Sequence, residues 1–330
     1  MISTYYFRAQ MYTLVPRQVR EDMRWMADHG SDAVIVGVME QDFRAARENL
    51  DLICAEAASA GLRVFATPSR WGNLVAGCPK VPSILCATEH DLWARNPDGS
   101  PVLNFLGPIA SVHHPRTFEA FAELTTTLLT RWDISGIVWD EPKALEVADH
   151  SDAARQALPG TDLSDPAVIL RAQRDFFGRV NAAARALRPD LRIGMFLFGH
   201  YADTPAMSLL AGTQGLDDFG LDGRPWARSD GGISDSGHGA PSKFLLDQGP
   251  AFIAAAKSHG RNSLALIENH ALSRPDTTLM ERRLGAVLDQ GYDHLIYYYY
   301  PRSCEDADRA MNILGEAMLR HRASSPKASS

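Results

Sequence analysis

Asp133-Ile-Ser-Gly-Ile-Val-Trp-Asp-Glu-Pro142 is the stretch from which the fold can be read. Gly136 to Trp139 is a short apolar run with two β-branched residues at its centre, which suits a buried strand. Two carboxylates, Asp140 and Glu141, follow at once. Pro142 then removes a backbone donor and stops the pairing. Acids at the C-terminal tip of a buried parallel strand stand where α/β enzymes hold their reacting groups. The blander alternative is that Asp140 caps a following helix.

Outward from this strand, apolar runs alternate with helical patterns in both directions. Residues 2–8, 32–39 and 62–67 read as strands, separated by helices over 16–30 and 43–60. Pro16 opens the first helix and Gly30 closes it, while Gly61 closes the second. Further on, strands are expected over 191–198, 216–221, 263–267 and 293–300. Helices are expected over 116–130, 166–187, 204–211, 251–259, 275–290 and 305–320. The run 32–39 is apolar almost throughout, as in a parallel sheet covered on both faces. Eight strands alternating with about eight helices is the arithmetic of an α/β fold of one kind, a single (β/α)8 TIM barrel. It would fill residues 1–320 and leave a disordered tail over 321–330. A doubly wound sheet would carry a Gly-rich phosphate loop after its first strand, and none is present. Long loops are expected after strands three, four and six. The first of them, residues 68–115, holds Trp71, Trp93 and the turn Asn96-Pro-Asp-Gly99, and its length suggests a lid or cleft wall.

Composition narrows the partners. There are 33 Lys and Arg against 40 Asp and Glu, a net charge of −7, with no basic run. Nucleic acid and anionic membrane are therefore not expected as main partners. No charged leader with an apolar core is visible, nor any apolar run of about 18 residues, so a soluble cytoplasmic protein is expected. Cysteines stand at 54, 78, 86 and 304, without a C-x-x-C pair. Cys54 lies on an apolar helical face, and Cys78 and Cys86 flank a Pro-rich loop that a disulfide could close.

In a barrel the strand tips converge on one mouth. These tips carry Arg8 and Gln10, Glu40, Arg70 and Trp71, Asp140 and Glu141, His200 and Tyr201, Asp222, Glu268 and His270, and the tyrosines 297–300. Such an acidic and aromatic set fits a carbohydrate. Sugar rings stack on Trp and Tyr, and their hydroxyls pair with carboxylates, His and Arg. Two carboxyls are also what glycosidic cleavage needs. Glu141 and Glu268, at the tips of strands four and seven, face each other across the mouth and form the favoured pair. Glu268 could instead be a structural acid paired with Arg274 or His270. His200, Tyr201, Asp222 and His270 would hold sugar hydroxyls. Trp71 and the late tyrosines, Tyr298 and Tyr299 among them, would supply stacking walls.

A Glu-Pro dipeptide closing strand four, with a second Glu closing strand seven, resembles glycoside hydrolase clan A, the "four/seven" retaining barrels. That group usually reads Asn-Glu-Pro, where this chain reads Asp140-Glu141-Pro142. The resemblance implies a retaining glycosidase without a cofactor or metal. It places Glu141 as acid/base and Glu268 as nucleophile. The Asp for Asn departure alters substrate contact, because an ionised Asp140 accepts from a sugar hydroxyl but cannot donate as an amide does. Asp140 is also expected to raise its neighbour's pKa and keep Glu141 protonated. Three other readings compete. Asp140 as nucleophile with Asp222 as acid resembles the α-galactosidase and α-glucosidase barrels. Asp140, Glu141, His200, Glu268 and His270 could ligate a metal in an isomerase or amidohydrolase, although no His-x-His ends strand one. A sugar-binding barrel without catalysis would keep the aromatic walls and make the acids dispensable.

Overall fold

The computed structural model describes residues 1–6, 14–225, 244–301 and 303–324. Its centre is a closed barrel of parallel strands. The strands are β1 (Ile2–Tyr6), β2 (Ala33–Met39), β3 (Arg63–Ser69), β4 (Gly136–Asp140), β5 (Arg192–Phe198), β6 (Asp218–Gly223), β7 (Asn262–Ile267) and β8 (His294–Tyr298). Each pairs with its neighbours in the chain, and β1 closes the ring on β8, with Ile2 opposite Leu295 and Tyr5 opposite Tyr298. The expected (β/α)8 barrel is the fold.

Side chains alternate in and out along every strand. Tyr5, Ile35, Phe65, Val138, Phe196, Leu264 and Ile296 fill the ring as one cluster. Their chain neighbours Val34, Val36, Trp139, Leu197 and Tyr297 join a larger cluster under the helices. Gly220 sits at an inward position, and a Cβ there would lie 1.7 Å from the Leu264 carbonyl oxygen, so only glycine lets β6 and β7 approach this closely. The floor is polar. Arg192 donates to both oxygens of Asp218 through Nε and Nη2, at 2.6 and 2.5 Å, and His294 Nε2 meets Ser3 Oγ at 2.9 Å. The barrel is thus layered, with an ion-paired floor, an apolar middle and an acidic top.

β3 and β4 pair only through Phe65–Gly136 and Ala66–Ile137. Beyond that point the excursion after β3 fills the gap. Thr67 Oγ1 donates to the Val138 carbonyl (2.6 Å), Ala76 N to the Asp140 carbonyl (2.7 Å) and Lys143 N to the Leu74 carbonyl (2.9 Å). The excursion contains a 3-10 turn, Trp71–Asn73, a short helix, Ile84–Thr88, and a two-stranded ribbon, Leu103–Asn104 with Gly107–Pro108. Glu40 holds it down. Its buried carboxylate accepts from Gly72 N (2.9 Å), Ser83 Oγ (2.8 Å) and Leu85 N (2.8 Å). This strand-tip acid is a structural latch.

Some expectations need correction. The helix expected over 43–60 is two, Asp42–Ala45 and Arg47–Ser59, because Ala46 leaves helical geometry at φ −145°. The last helix, Ala307–Ser324, runs into the tail expected from 321. The possible disulfide between Cys78 and Cys86 is not formed. Arg8 and Gln10 lie outside the described residues, as do residues 226–243 of the loop after β6 and residues 325–330. No helix among the described residues is long and apolar enough to cross a membrane.

Candidate active site

Inward alternation places Asp140 (β4), Asp222 (β6), Tyr298 (β8) and Tyr5 (β1) at the top of the ring, and Glu268 directly follows β7 at the same inward register. Glu141 joins them by a different route. Its backbone is left-handed (φ 35°), an unfavourable state for a side chain bearing a Cβ. Its N–H donates to the Phe196 carbonyl at 3.1 Å, which keeps the residue at the barrel rim. Arg70 also turns off its strand in left-handed backbone, at φ 61°. The β7 and β8 ends are tied together by Asn269, which donates to the Tyr298 carbonyl (2.9 Å) and accepts from Tyr298 N (2.8 Å). That clamp fixes Glu268 relative to Tyr298.

The acids are electrostatically unequal. Tyr5 donates its hydroxyl to Asp140 Oδ2 at 3.0 Å. Burial, then the charge of Glu141, raises Asp140 to about 6. Burial pushes Glu141 up as well, but the ammonium of Lys143 and a hydrogen bond from Asp222 outweigh it and bring Glu141 down to about 2. Lys143 Nζ donates directly to Glu141 Oε2. Burial, then the charges of Glu141 and Glu268, drives Asp222 well above the carboxylate range. The expectation that Asp140 keeps Glu141 protonated is corrected: Lys143 and the hydrogen bond from Asp222 lower its pKa instead.

On the other side of the mouth, Arg224 follows β6 and brings Nε within 3.9 Å of Glu268 Oε2. Tyr298 lies among the acids. Burial, then the charges of Glu268, Asp140 and Asp222, holds its hydroxyl well above its ordinary value. His270 is buried and meets the Tyr298 ring edge-on, with centroids 5.4 Å apart. His200 and Tyr201 sit at the rim on the turn Gly199–Tyr201, with their rings 4.0 Å apart. Tyr201 donates to Glu146 Oε1 at 3.5 Å.

Of the residues expected from the sequence, the structure brings together Asp140, Glu141, Asp222, Glu268, Arg70, Tyr298 and His270, with His200 and Tyr201 at the edge. Two are elsewhere. Trp71 is fully buried, donates its indole N–H to the Val38 carbonyl at 2.9 Å and packs edge-on against Phe121, so it is core and not a stacking wall. Tyr299 points outward under the helices, where its hydroxyl donates to Asp22 at 2.8 Å. Three site residues were not anticipated: Tyr5, Lys143 and Arg224. Among the described residues, no group of three His, Cys, Asp or Glu side chains is placed to hold a metal ion.

No protein-family profile matches the chain, and no curated protein sequence matches it. Solved structures do. A β-galactosidase from the Antarctic haloarchaeon Halorubrum lacusprofundi superposes with a TM-score of 0.66 at 13% identity, over 99% of this chain and 59% of its own. The catalytic domain of a β-amylase from Paenibacillus polymyxa gives 0.61 at 12% identity, over 99% of both chains. An endo-1,4-β-mannanase from Rhizomucor miehei gives 0.62 at 11% identity, over 96% of this chain and 94% of its own. The chain thus spans well under two thirds of the β-galactosidase but nearly all of the other two. At these identities the likeness is one of architecture: the chain has the (β/α)8 barrel on which these glycoside hydrolases are built.

Proposed function

We propose that the protein is a glycoside hydrolase that cleaves the bond of a small glycoside or oligosaccharide with retention. The observation that carries this reading is the charge pattern of the mouth. Two carboxylates, Glu141 and Glu268, from the tips of β4 and β7, both raise the pKa of one buried carboxyl, Asp222, lying between them in chain order on β6. A retaining mechanism needs one carboxyl that delivers a proton and one that attacks, about 5–5.5 Å apart.

In the first step Glu141, carrying the proton it draws from Asp222, protonates the glycosidic oxygen. The bond from that oxygen to the anomeric carbon breaks as Glu268 forms an ester to the same carbon. In the second step Glu141, ionised again, takes a proton from water and returns it to Asp222. The water oxygen bonds to the anomeric carbon, and the ester to Glu268 breaks. Lys143 must release Glu141 before the first step, and a sugar hydroxyl entering the mouth is the natural competitor for that contact. Arg224 steadies the negative charge of Glu268 until it attacks. Tyr5, Asp140, Tyr298 and His270 hold hydroxyls from the barrel side, and His200 and Tyr201 from the rim.

A second reading uses Asp222 itself as the acid and Asp140 as the nucleophile, and the raised pKa of Asp222 favours it. The test is a screen of purified protein against nitrophenyl glycosides of both anomers, with Glu141→Gln and Glu268→Gln beside the wild type. Loss of hydrolysis in both variants supports the first reading. Survival in Glu268→Gln moves the assignment to Asp140 and Asp222. No cleavage of nitrophenyl or natural oligosaccharide substrates by the wild type leaves a barrel that binds without cleaving.

A further inference from the structure

Three arginines in this protein grip a carboxylate in the same way. The edge formed by Nε and Nη2 donates to both oxygens of Asp218 from Arg192, and to both oxygens of Glu56 from Arg20 (3.0 and 2.8 Å). Arg116 grips Glu89 with the same edge, at 3.0 and 3.2 Å. This side-on fork matches the spacing of two carboxylate oxygens. Arg224 differs. It is 4% exposed, and its Nε and Nη2 have no hydrogen-bond partner among the described residues. Its Nη1 reaches the Ala271 carbonyl at 3.4 Å, which holds the guanidinium in place, and Glu268 Oε2 stays 3.9 Å from Nε. Two residues beyond Asp222 on the same inward register, Arg224 presents that edge to the mouth.

A buried guanidinium with an unsatisfied fork is costly unless a ligand completes it. Chemistry at the site sharpens the problem. In the reaction proposed above, the charge of Glu268 disappears when it becomes an ester, and Arg224 is left beside a neutral group. An anion on the sugar would supply the missing counter-charge. Arg70 adds a second buried guanidinium, 6% exposed, whose Nε also has no hydrogen-bond partner among the described residues and whose charge reaches Asp140 and Glu141.

We infer that the sugar bound in this mouth carries a carboxylate, as a hexuronic acid does, and that the Nε–Nη2 edge of Arg224 receives it. The inference rests on the glycosidase reading for its substrate, but its recognition half can be measured separately. Nitrophenyl hexuronides, the matching neutral hexosides and a 6-sulfated hexoside would be compared for cleavage. The free uronic acids and hexoses would be compared for binding by calorimetry. Wild type, Arg224→Met and Arg224→Lys would be used, with circular dichroism as the folding control. The expected result is preference for uronides over neutral sugars in the wild type. That preference should fall about 100-fold in Arg224→Met and be partly kept in Arg224→Lys. Equal treatment of acidic and neutral sugars by the wild type, or a preference unchanged in a folded Arg224→Met, overturns the inference. Preference for the sulfated sugar overturns the carboxylate assignment. Cleavage of neutral glycosides without an acidic preference sinks this inference and leaves the glycosidase reading standing. Uronate binding that depends on Arg224 without cleavage of any uronide does the reverse.

Discussion

Asp140→Asn should stabilise the protein, and more so as pH rises. Asp140 is 8% exposed, and burial together with the charge of Glu141 raises its pKa from 3.8 to about 6. The unfolded chain releases this proton first. Below pH 3.8 both states hold it and nothing is lost. As pH rises from there to about 6, the unfolded state gains ionisation that the folded state resists, so stability falls across that window. At about 1.4 kcal/mol per pH unit, the full interval amounts to about 3 kcal/mol. Asparagine is near in size, cannot ionise, and still offers Tyr5 an acceptor oxygen. Urea unfolding of wild type and Asp140→Asn at pH 4 and pH 7.5 would measure it. The gain should be small at pH 4 and approach about 3 kcal/mol at pH 7.5. A difference that does not change with pH, or a variant less stable than wild type at pH 7.5, would refute the electrostatic reasoning. Activity should fall in the same variant, a trade of stability against function.

Other consequences follow from the same contacts. Lys143→Met removes the ammonium that helps hold Glu141 at about 2, so the carboxyl should titrate higher than in the wild type. A carbon-13 NMR titration of the Glu141 carboxyl reads this directly, and an unmoved midpoint rejects the ion pair. Glu40→Ala removes three buried hydrogen bonds to the excursion after β3 and should destabilise by about 3 kcal/mol or more. Faster proteolysis between residues 70 and 90 is the accompanying sign, and wild-type resistance would show that the latch is not needed. Trp71→Phe keeps an aromatic ring but loses the bond to Val38, and should lower stability by about 1–3 kcal/mol. Its KM for any glycoside should be unchanged, because Trp71 is core, and a large rise in KM would return it to the mouth.

The strand count was legible because each apolar run stands between two helical patterns, and a parallel barrel then follows from length and order. Alternation also made much of the site legible. Asp140, Asp222, Glu268 and Tyr298 are at strand tips and share the inward register. The same alternation, followed strictly, excludes Tyr299, whose neighbour Tyr298 faces in. It also points to Tyr5 on β1 and to Arg224, two residues past Asp222. Arg224 was hidden because it opens a stretch that reads as loop. Trp71 was not legible in this way. It would continue the inward register of β3, but Arg70 turns left-handed at φ 61° and sends the indole into the core. Lys143 was hidden for a similar reason: with Pro142 between it and Glu141, the left-handed backbone of Glu141 goes with the ammonium lying against the carboxylate, and that contact lowers the pKa of Glu141.

The central claim is that Glu268 is the attacking carboxylate and Glu141 the residue that moves the proton. Azide rescue tests it most directly. With the best nitrophenyl glycoside as substrate, Glu268→Gly and Asp140→Gly would each be assayed with and without sodium azide, and the products analysed for anomeric configuration. The account predicts that azide restores turnover in Glu268→Gly, giving a glycosyl azide of configuration opposite to the substrate. Rescue of Asp140→Gly instead, with Glu268→Gly retaining hydrolysis without azide, would contradict it.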